Sequence, residues 1–160
     1  MTPSRALYLL MFLATAVAQS SPQPSGFARE MLDAHNAVRA RVGVPMLSWS
    51  NQLASAAQAW ADTLLRRGRF QHQSRSPYGE NLFEIQGGAA DPREVIDAWA
   101  SESAHYDNRK NRCRGECGHY TQLVWRSTSQ VGCAVARGKG REIWVCEYNQ
   151  PGNIVGRRAY

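Results

Sequence analysis

The residue with the clearest chemical potential is His119, which stands in the stretch Gly118–Thr128 shortly before an apolar run that ends at Trp125. An imidazole can exchange a proton near neutral pH or ligate a metal ion. A titratable group drawn into a buried apolar run is costly to bury without hydrogen-bond partners. We therefore expect other parts of the chain to supply partners to His119.

A carboxylate in an unexpected place is the second chemical signal. Glu102 follows Trp99 by three residues and Val95 by seven, so the period of a helix places it on an apolar stripe. A charge on that stripe needs a partner, or its pKa rises. The alternative is a carboxylate at the edge of the stripe that reaches water, and periodicity alone does not separate the two.

Four cysteines in an exported chain predict two disulfides. A two-residue turn at Lys139–Gly140 would place Cys133 directly opposite Cys146 in an antiparallel hairpin, with sensible cross-strand partners along it. That pairing leaves Cys113 with Cys117. A zinc site built from all four cysteines is the alternative.

Residues 1–18 have the pattern of a signal peptide, with Arg5, an apolar run and the A-x-A cleavage site Ala16-Val17-Ala18. Residues 19–25 are expected to form a Pro/Ser linker, and residues 26–160 one domain. The apolar run is too short to span a bilayer comfortably, and an uncleaved anchor is the alternative. We expect a secreted, extracellular protein, or a periplasmic one in a bacterium, with no transmembrane anchor after cleavage.

The formal net charge of +6 comes almost entirely from arginine, which clusters in residues 66–75, 109–114 and 157–158. An exported basic protein could meet an anionic lipid or an acidic polysaccharide. A solvated basic surface is the alternative. No nucleic-acid-binding module is recognisable, so we expect no nucleic-acid partner.

Two helices are predicted in the first half of the chain. The first begins near Phe27, where apolar residues recur with a helical period, and His35 on it is interpreted as a packed residue at the edge of the core. The second is capped by Ser48 or Ser50 and ends at Gly68.

A third helix starts at residues 91–94, where Asp-Pro-x-Glu forms a strong capping signal, and it carries Glu102. Residues 70–74 and 78–83 are expected to be irregular or short extended segments. The periodicity of Gly118–Thr128 fits a strand or a helix. With the hairpin, these elements predict an α+β fold in which helices pack on a mainly antiparallel sheet.

Several motifs resemble those of the CAP superfamily, which comprises the cysteine-rich secretory, antigen 5 and pathogenesis-related 1 proteins. The stretch Gly118–Trp125 resembles the first family signature and Val145–Asn153 the second. His35-Asn36-x-x-Arg39 and Gly79–Leu82 are further elements. The match covers about residues 27–160, and the chain is most similar to the single-domain pathogenesis-related 1 group, whose domain is also called SCP.

The resemblance implies a three-layer α-β-α sandwich with a mainly antiparallel central sheet and a large open cleft. In the family, two histidines and two acidic residues line that cleft, and they correspond here to His72, Glu80, Glu102 and His119. Glu102 would then face the cleft, which accounts for its unexpected place. The motif residues expected to have structural roles are His35, Asn36, Arg39, Asn81, Trp125, Tyr148 and Asn153.

The chain departs from the family pattern in two respects. Pathogenesis-related 1 proteins usually carry a third disulfide, whose positions fall here near Gly68 and Gly138, and neither is cysteine. Glu147 stands where many members have asparagine. This departure bears on whether a C-terminal peptide, Gln150–Tyr160, is released, as proposed for some plant members.

The resemblance favours a binding protein over an enzyme. The family is linked to sterol and fatty-acid binding, often in host defence, so we expect an amphipathic ligand of that kind in the cleft, which the Gly87–Gly88 loop could gate. The hypothesis requires no cofactor. Zn²⁺ is a candidate, held weakly by His72 and His119 and released as they protonate below about pH 6.5.

Two other functions remain open at this point. Paired imidazole and carboxylate groups can activate water, so a metal- or His/Glu-assisted hydrolase is the first alternative. The sequence contains no H-E-x-x-H and no G-x-S-x-G motif in its favour. The second alternative is an interaction module that acts through the arginine-rich surface.

Overall fold

A four-stranded sheet between two helical layers dominates the computed structural model, which describes residues 26–160. The predicted signal peptide and linker lie outside the described residues. The α+β class is the one that the sequence predicts. The helices are α1 (Gly26–Arg41), α2 (Asn51–Arg67), α3 (Pro92–Ser101) and α4 (Gly118–Leu123), and the strands are β1 (Ser48–Trp49), β2 (Gly79–Gln86), β3 (Tyr106–Asp107), β4 (Arg112–Cys113), β5 (Gln130–Gly138) and β6 (Arg141–Asn149).

The main sheet has the strand order β1-β5-β6-β2 and is antiparallel except for the short β1–β5 pair. The β5–β6 hairpin has the predicted register, with Cys133 opposite Cys146. Its turn residues Lys139 and Gly140 both have positive φ, 52° and 71°, as a tight hairpin turn requires. Both disulfides, Cys113–Cys117 and Cys133–Cys146, are formed.

The two faces of the sheet are buried by different helices. Helix α2 covers one face through small residues, among them Ala57 and Ala61, which let it pack closely against the sheet. Helices α1, α3 and α4 cover the other face around Trp99, Leu123 and Trp144. Within residues 26–160, no helix is both long and apolar enough to cross a membrane.

The helix ends agree with the capping signals in the sequence. Ser50, rather than Ser48, caps α2 by accepting a hydrogen bond from the Leu53 amide, and Gly68 ends that helix in the left-handed conformation. Asp91 and Glu94 form the predicted capping box at the start of α3. These interactions are local, which is why the sequence predicts them well.

Three local expectations are refined by the structure. Residues 78–83 are extended, one of the two alternatives, but they belong to a longer strand, because Gly79–Gln86 pairs along its whole length with β6 and this pairing overrides a sequence poor in strand-favouring residues. The third helix ends at Ser101, and a 3₁₀ turn follows at Glu102–His105. For the Gly118–Thr128 stretch, which fits a strand or a helix by periodicity, the structure has a helix, α4, over Gly118–Leu123, in addition to the three predicted helices.

Candidate functional site

His119 is held by Glu102, so the partner that its position demands is present. His119 lies in the first turn of α4, and its Nδ1–H donates to Glu102 Oε1 at 2.6 Å. The other carboxylate oxygen, Oε2, accepts from the backbone amides of His119 and Tyr120 at 3.0 and 3.2 Å. Glu102 therefore caps α4 and fixes the tautomer of the imidazole with one carboxylate.

The orientation of the His119 ring is fixed by a second contact, with Trp99. The two rings are stacked, with centroids 6.0 Å apart and planes 11° apart. Trp99 is in turn held by a hydrogen bond from its Nε1–H to the Leu82 carbonyl at 3.1 Å. An indole on one face and a carboxylate at Nδ1 leave Nε2 as the accessible nitrogen of His119.

His72 and Glu80 form a second pair on the other side of the cleft. His72 lies in the irregular segment after α2, and its Nδ1–H donates to Glu80 Oε1 at 2.5 Å. The Gln73 amide donates to the same oxygen at 3.1 Å. The hydrogen bond to Glu80 raises the pKa of His72 above its usual value. The imidazole is 65% exposed, whereas its carboxylate partner is 6% exposed, so the pair has a buried base and a solvent-facing ring.

Both histidines line one cavity of about 330 Å³, together with Asn81, Glu116 and Asn153. Within residues 26–160, neither Nε2 has a hydrogen-bond partner. Six of its ten lining residues are polar or charged, so it offers ligands to a cation or a polar group. The Gly87–Gly88 loop does not line this cavity, because it follows the far end of β2 from Glu80.

His35 lies outside the cleft, as its sequence context predicts, and anchors a buried chain of hydrogen bonds. Its Nδ1–H donates to the Met31 carbonyl at 2.7 Å, so Nε2 accepts from the Tyr148 hydroxyl at 2.9 Å. Asn81 then donates both to that hydroxyl and to the His119 carbonyl. Burial lowers the pKa of His35 to about 4, so this chain of hydrogen bonds carries no charge. Through these hydrogen bonds, α1 and the main sheet hold α4 in position.

Arg39 is fully buried and holds the segment after α4. Its guanidinium donates to the carbonyls of Pro45, Leu123, Trp125 and Thr128 at 2.7 to 3.1 Å. The free carbonyls at the end of a helix need such donors. The loop that leads out of α4 is thus fixed to α1.

The remaining motif residues also serve the frame of the cleft. Asn36 pairs with both backbone groups of Leu47, and Trp125 is 4% exposed in the core. Asn153 accepts from the Thr121 hydroxyl at 2.6 Å and donates to the Gly118 carbonyl at 2.9 Å. It therefore ties the C-terminal segment to α4 at the cavity wall.

Glu147 is the residue that sequence reasoning missed as a member of this region. It lies opposite Glu80 across the β2–β6 pair, is fully buried, and has no hydrogen-bond partner for either carboxyl oxygen within the described residues. Burial, and secondarily the charge of Glu80, raises the pKa of Glu147 to about 8. Its position in place of asparagine was visible in the sequence, but its burial was not.

The donor set fits a divalent metal ion such as Zn²⁺. Imidazole nitrogens are good zinc ligands, and a carboxylate on the second ring nitrogen is the usual outer-shell support. Within residues 26–160, ligand atoms of Glu102, Glu116 and His119 lie within 4.8 Å of one another. Sequence reasoning did not single out Glu116, which has no pattern to mark it apart from its place between Cys113 and Cys117.

The sequence of this chain matches that of a known protein family. The model of the cysteine-rich secretory protein family, CAP, matches residues 32–148. Pathogenesis-related protein 1A of Nicotiana tabacum is 40% identical over 155 residues, which cover 95% of this chain and 90% of that protein.

Solved structures with the same fold are more distant in sequence. Venom allergen-like protein 4 of Schistosoma mansoni has a TM-score of 0.70 at 24% identity, over 84% of this chain and 94% of that one. A crystal structure of NaASP2 with Zn²⁺ has a TM-score of 0.68 at 23% identity, over 85% and 86% of the two chains. At these identities the similarity demonstrates the fold alone.

Proposed function

We propose that this chain, which belongs to the cysteine-rich secretory protein (CAP) family, is a secreted, defence-related protein of the pathogenesis-related 1 type. Its cleft, on this proposal, binds a divalent metal ion, and Zn²⁺ is the first candidate. It acts by binding, with no chemical step assigned to it. Of the four residues expected at the cleft, His72, Glu80 and His119 line the cavity, and Glu102 supports His119 from behind through its Nδ1–H.

One observation carries the metal proposal. Each imidazole donates its Nδ1–H to a glutamate, at 2.5 Å for His72 and 2.6 Å for His119, and each leaves Nε2 without a partner on the same cavity. A carboxylate at Nδ1 fixes the tautomer in which Nε2 carries the lone pair, and it also makes the imidazole a better ligand. Two imidazoles prepared in this way are expected to bind a metal ion rather than only water.

The similar proteins support both the role in defence and the metal site. Relatives that match nearly the whole chain, over 95% and 98% of it, carry the name pathogenesis-related protein, which agrees with a role in defence. NaASP2, a protein of similar fold, has a crystal structure with Zn²⁺. The predicted signal peptide supports export.

Titration calorimetry of Zn²⁺ into the metal-free, disulfide-intact protein at pH 8 tests the metal site. We expect the double variant His72→Ala/His119→Ala to lose binding. Glu80→Gln and Glu102→Gln keep the ligands but remove their support, so each should weaken binding by about 10- to 100-fold. Glu30→Gln, an exposed change outside the cleft, should have no effect. Unchanged binding in the double variant would eliminate the proposed site.

A second candidate function, binding of a fatty acid or sterol, is favoured by a separate groove. The groove lies between α1 and α3 and has a volume of about 460 Å³. Its apolar lining comprises Ala34, Ala37, Val38 and Pro92, and its rim is charged. An apolar floor with a charged rim matches an amphipathic molecule.

Two tryptophan variants on α1 test this placement. Ala37→Trp fills the groove, whereas Ala40→Trp places the same side chain on an exposed position of α1 that does not line it. We expect only the first to abolish binding of a fluorescent fatty acid, while the double histidine variant binds it normally. Loss of fatty-acid binding in the histidine variant instead would indicate that the fatty acid binds in the cleft and not in the groove.

A further inference from the structure

A short disulfide loop projects a carboxylate into the wall of the cleft. The Cys113–Cys117 bridge closes the loop Arg114-Gly115-Glu116, and both cysteines line the cavity. The loop backbone is held by His105 at two points: the His105 carbonyl accepts from the Arg114 amide at 2.9 Å, and His105 Nδ1–H donates to the Glu116 carbonyl at 3.0 Å. The backbone that carries Glu116 is thus fixed on both sides.

The side chain of Glu116 is the free carboxylate beside His119. A carboxylate oxygen of Glu116 lies within 4.8 Å of ligand atoms of Glu102 and His119, whereas His72 does not belong to this group among the described residues. Glu102 already accepts three hydrogen bonds from α4 with its two oxygens. Glu116 is exposed, and within residues 26–160 its carboxylate makes neither a hydrogen bond nor an ion pair. Of the two carboxylates, Glu116 is the one available to a ligand.

We propose that Glu116 is the third protein ligand of the cleft metal ion beside Nε2 of His119, and that the exposed ring of His72 turns toward them to complete the set; this inference rests on the function proposed above. Two imidazoles alone fall short of the three protein ligands typical of zinc sites that keep an open position. Glu116 lines the same cavity as both histidines and carries the negative charge that a divalent ion favours. The disulfide loop then has a role in ligand binding as well as in stability.

Zn²⁺ calorimetry and Co²⁺ absorption on the disulfide-intact protein test the inference. Glu116→Gln should weaken Zn²⁺ binding at least 10-fold, and it should alter the visible spectrum of bound Co²⁺ because one oxygen ligand is lost. Glu30→Gln, an equally conservative change at another exposed glutamate, is the matched control and should leave both signals unchanged.

The possible failures can be told apart. If Glu116→Gln binds Zn²⁺ like the wild type with an unchanged Co²⁺ spectrum, while His72→Ala/His119→Ala does not bind, Glu116 is only a solvated surface residue and the two-histidine site stands. If the wild type itself binds no metal, the proposed function and the inference fail together. Because Glu116 is exposed, its replacement leaves the fold intact, and circular dichroism checks this.

Discussion

Replacement of Glu147 by glutamine should stabilise the folded chain at neutral and alkaline pH. Glu147 is fully buried, and neither of its oxygens has a partner among the described residues. Burial first, and the neighbouring charge of Glu80 second, raise the pKa of Glu147 to about 8 from an ordinary 4.5. Glutamine has almost the same shape and never ionises, so Glu147→Gln isolates the cost of keeping this carboxyl protonated.

The size of the effect follows from linkage between protonation and folding. Between pH 4.5 and pH 8 the folded state keeps a proton that the unfolded state has released, so the stability contribution present below pH 4.5 is lost as the pH rises through that window. Each pH unit costs about 1.4 kcal/mol, which amounts to roughly 3 kcal/mol at pH 7. Above pH 8 the loss levels off at about 5 kcal/mol.

Urea unfolding of the wild type and Glu147→Gln at several pH values from 5 to 9 measures this cost. The free energy of unfolding of the variant minus that of the wild type should increase by about 1.4 kcal/mol per pH unit up to pH 8 and then remain constant. Groups such as His35 titrate in both proteins and cancel in the difference. A difference independent of pH would refute the reasoning, because it would mean that Glu147 is ionised in the fold.

Two further predictions concern the frame of the site. Arg39→Lys keeps the buried charge but cannot reproduce the four hydrogen bonds of the guanidinium, so we expect a loss of at least about 3 kcal/mol in urea unfolding, with no change for Arg41→Lys on the same helix. Gly132→Ala would place a Cβ 2.5 Å from the Ser50 carbonyl oxygen where α2 packs on β5, and it should cost roughly 1 to 3 kcal/mol. Thermal unfolding measures this cost, and Gly26→Ala, whose added Cβ meets no atom within 4 Å, is the control.

The sequence predicts the elements of this fold whose determinants are local. The caps at Ser50 and Asp91, and the hairpin turn at Lys139–Gly140, each depend on a few adjacent residues. Strand β2 was underestimated because its pairing with β6 is a long-range interaction, and its Gly79-Glu80-Asn81 start disfavours strands in isolation.

The site was predictable only in part, for the same reason. The position of Glu102 on an apolar stripe was a local anomaly, and the structure explains it through the hydrogen bonds to His119 and α4. By contrast, the environments of Glu116 and Glu147 are set by residues that are distant in the sequence. No periodicity can distinguish an exposed glutamate beside a histidine from one in water, or a buried glutamate from a surface residue of a strand.

The two histidines of the cleft are not held equally rigidly, and this difference affects how a ligand would bind. His119 is stacked on Trp99 and 28% exposed, and its ring donates to Glu102, a carboxylate that also accepts from two backbone amides of α4. His72 is 65% exposed on an irregular segment, with Glu80 as the hydrogen-bond partner of its ring. A ligand that spans both histidines would therefore find His119 in place but would have to immobilise His72, and that ordering costs free energy. The His119 side should then determine where a ligand binds, and the rigidity of the His72 segment should determine how tightly.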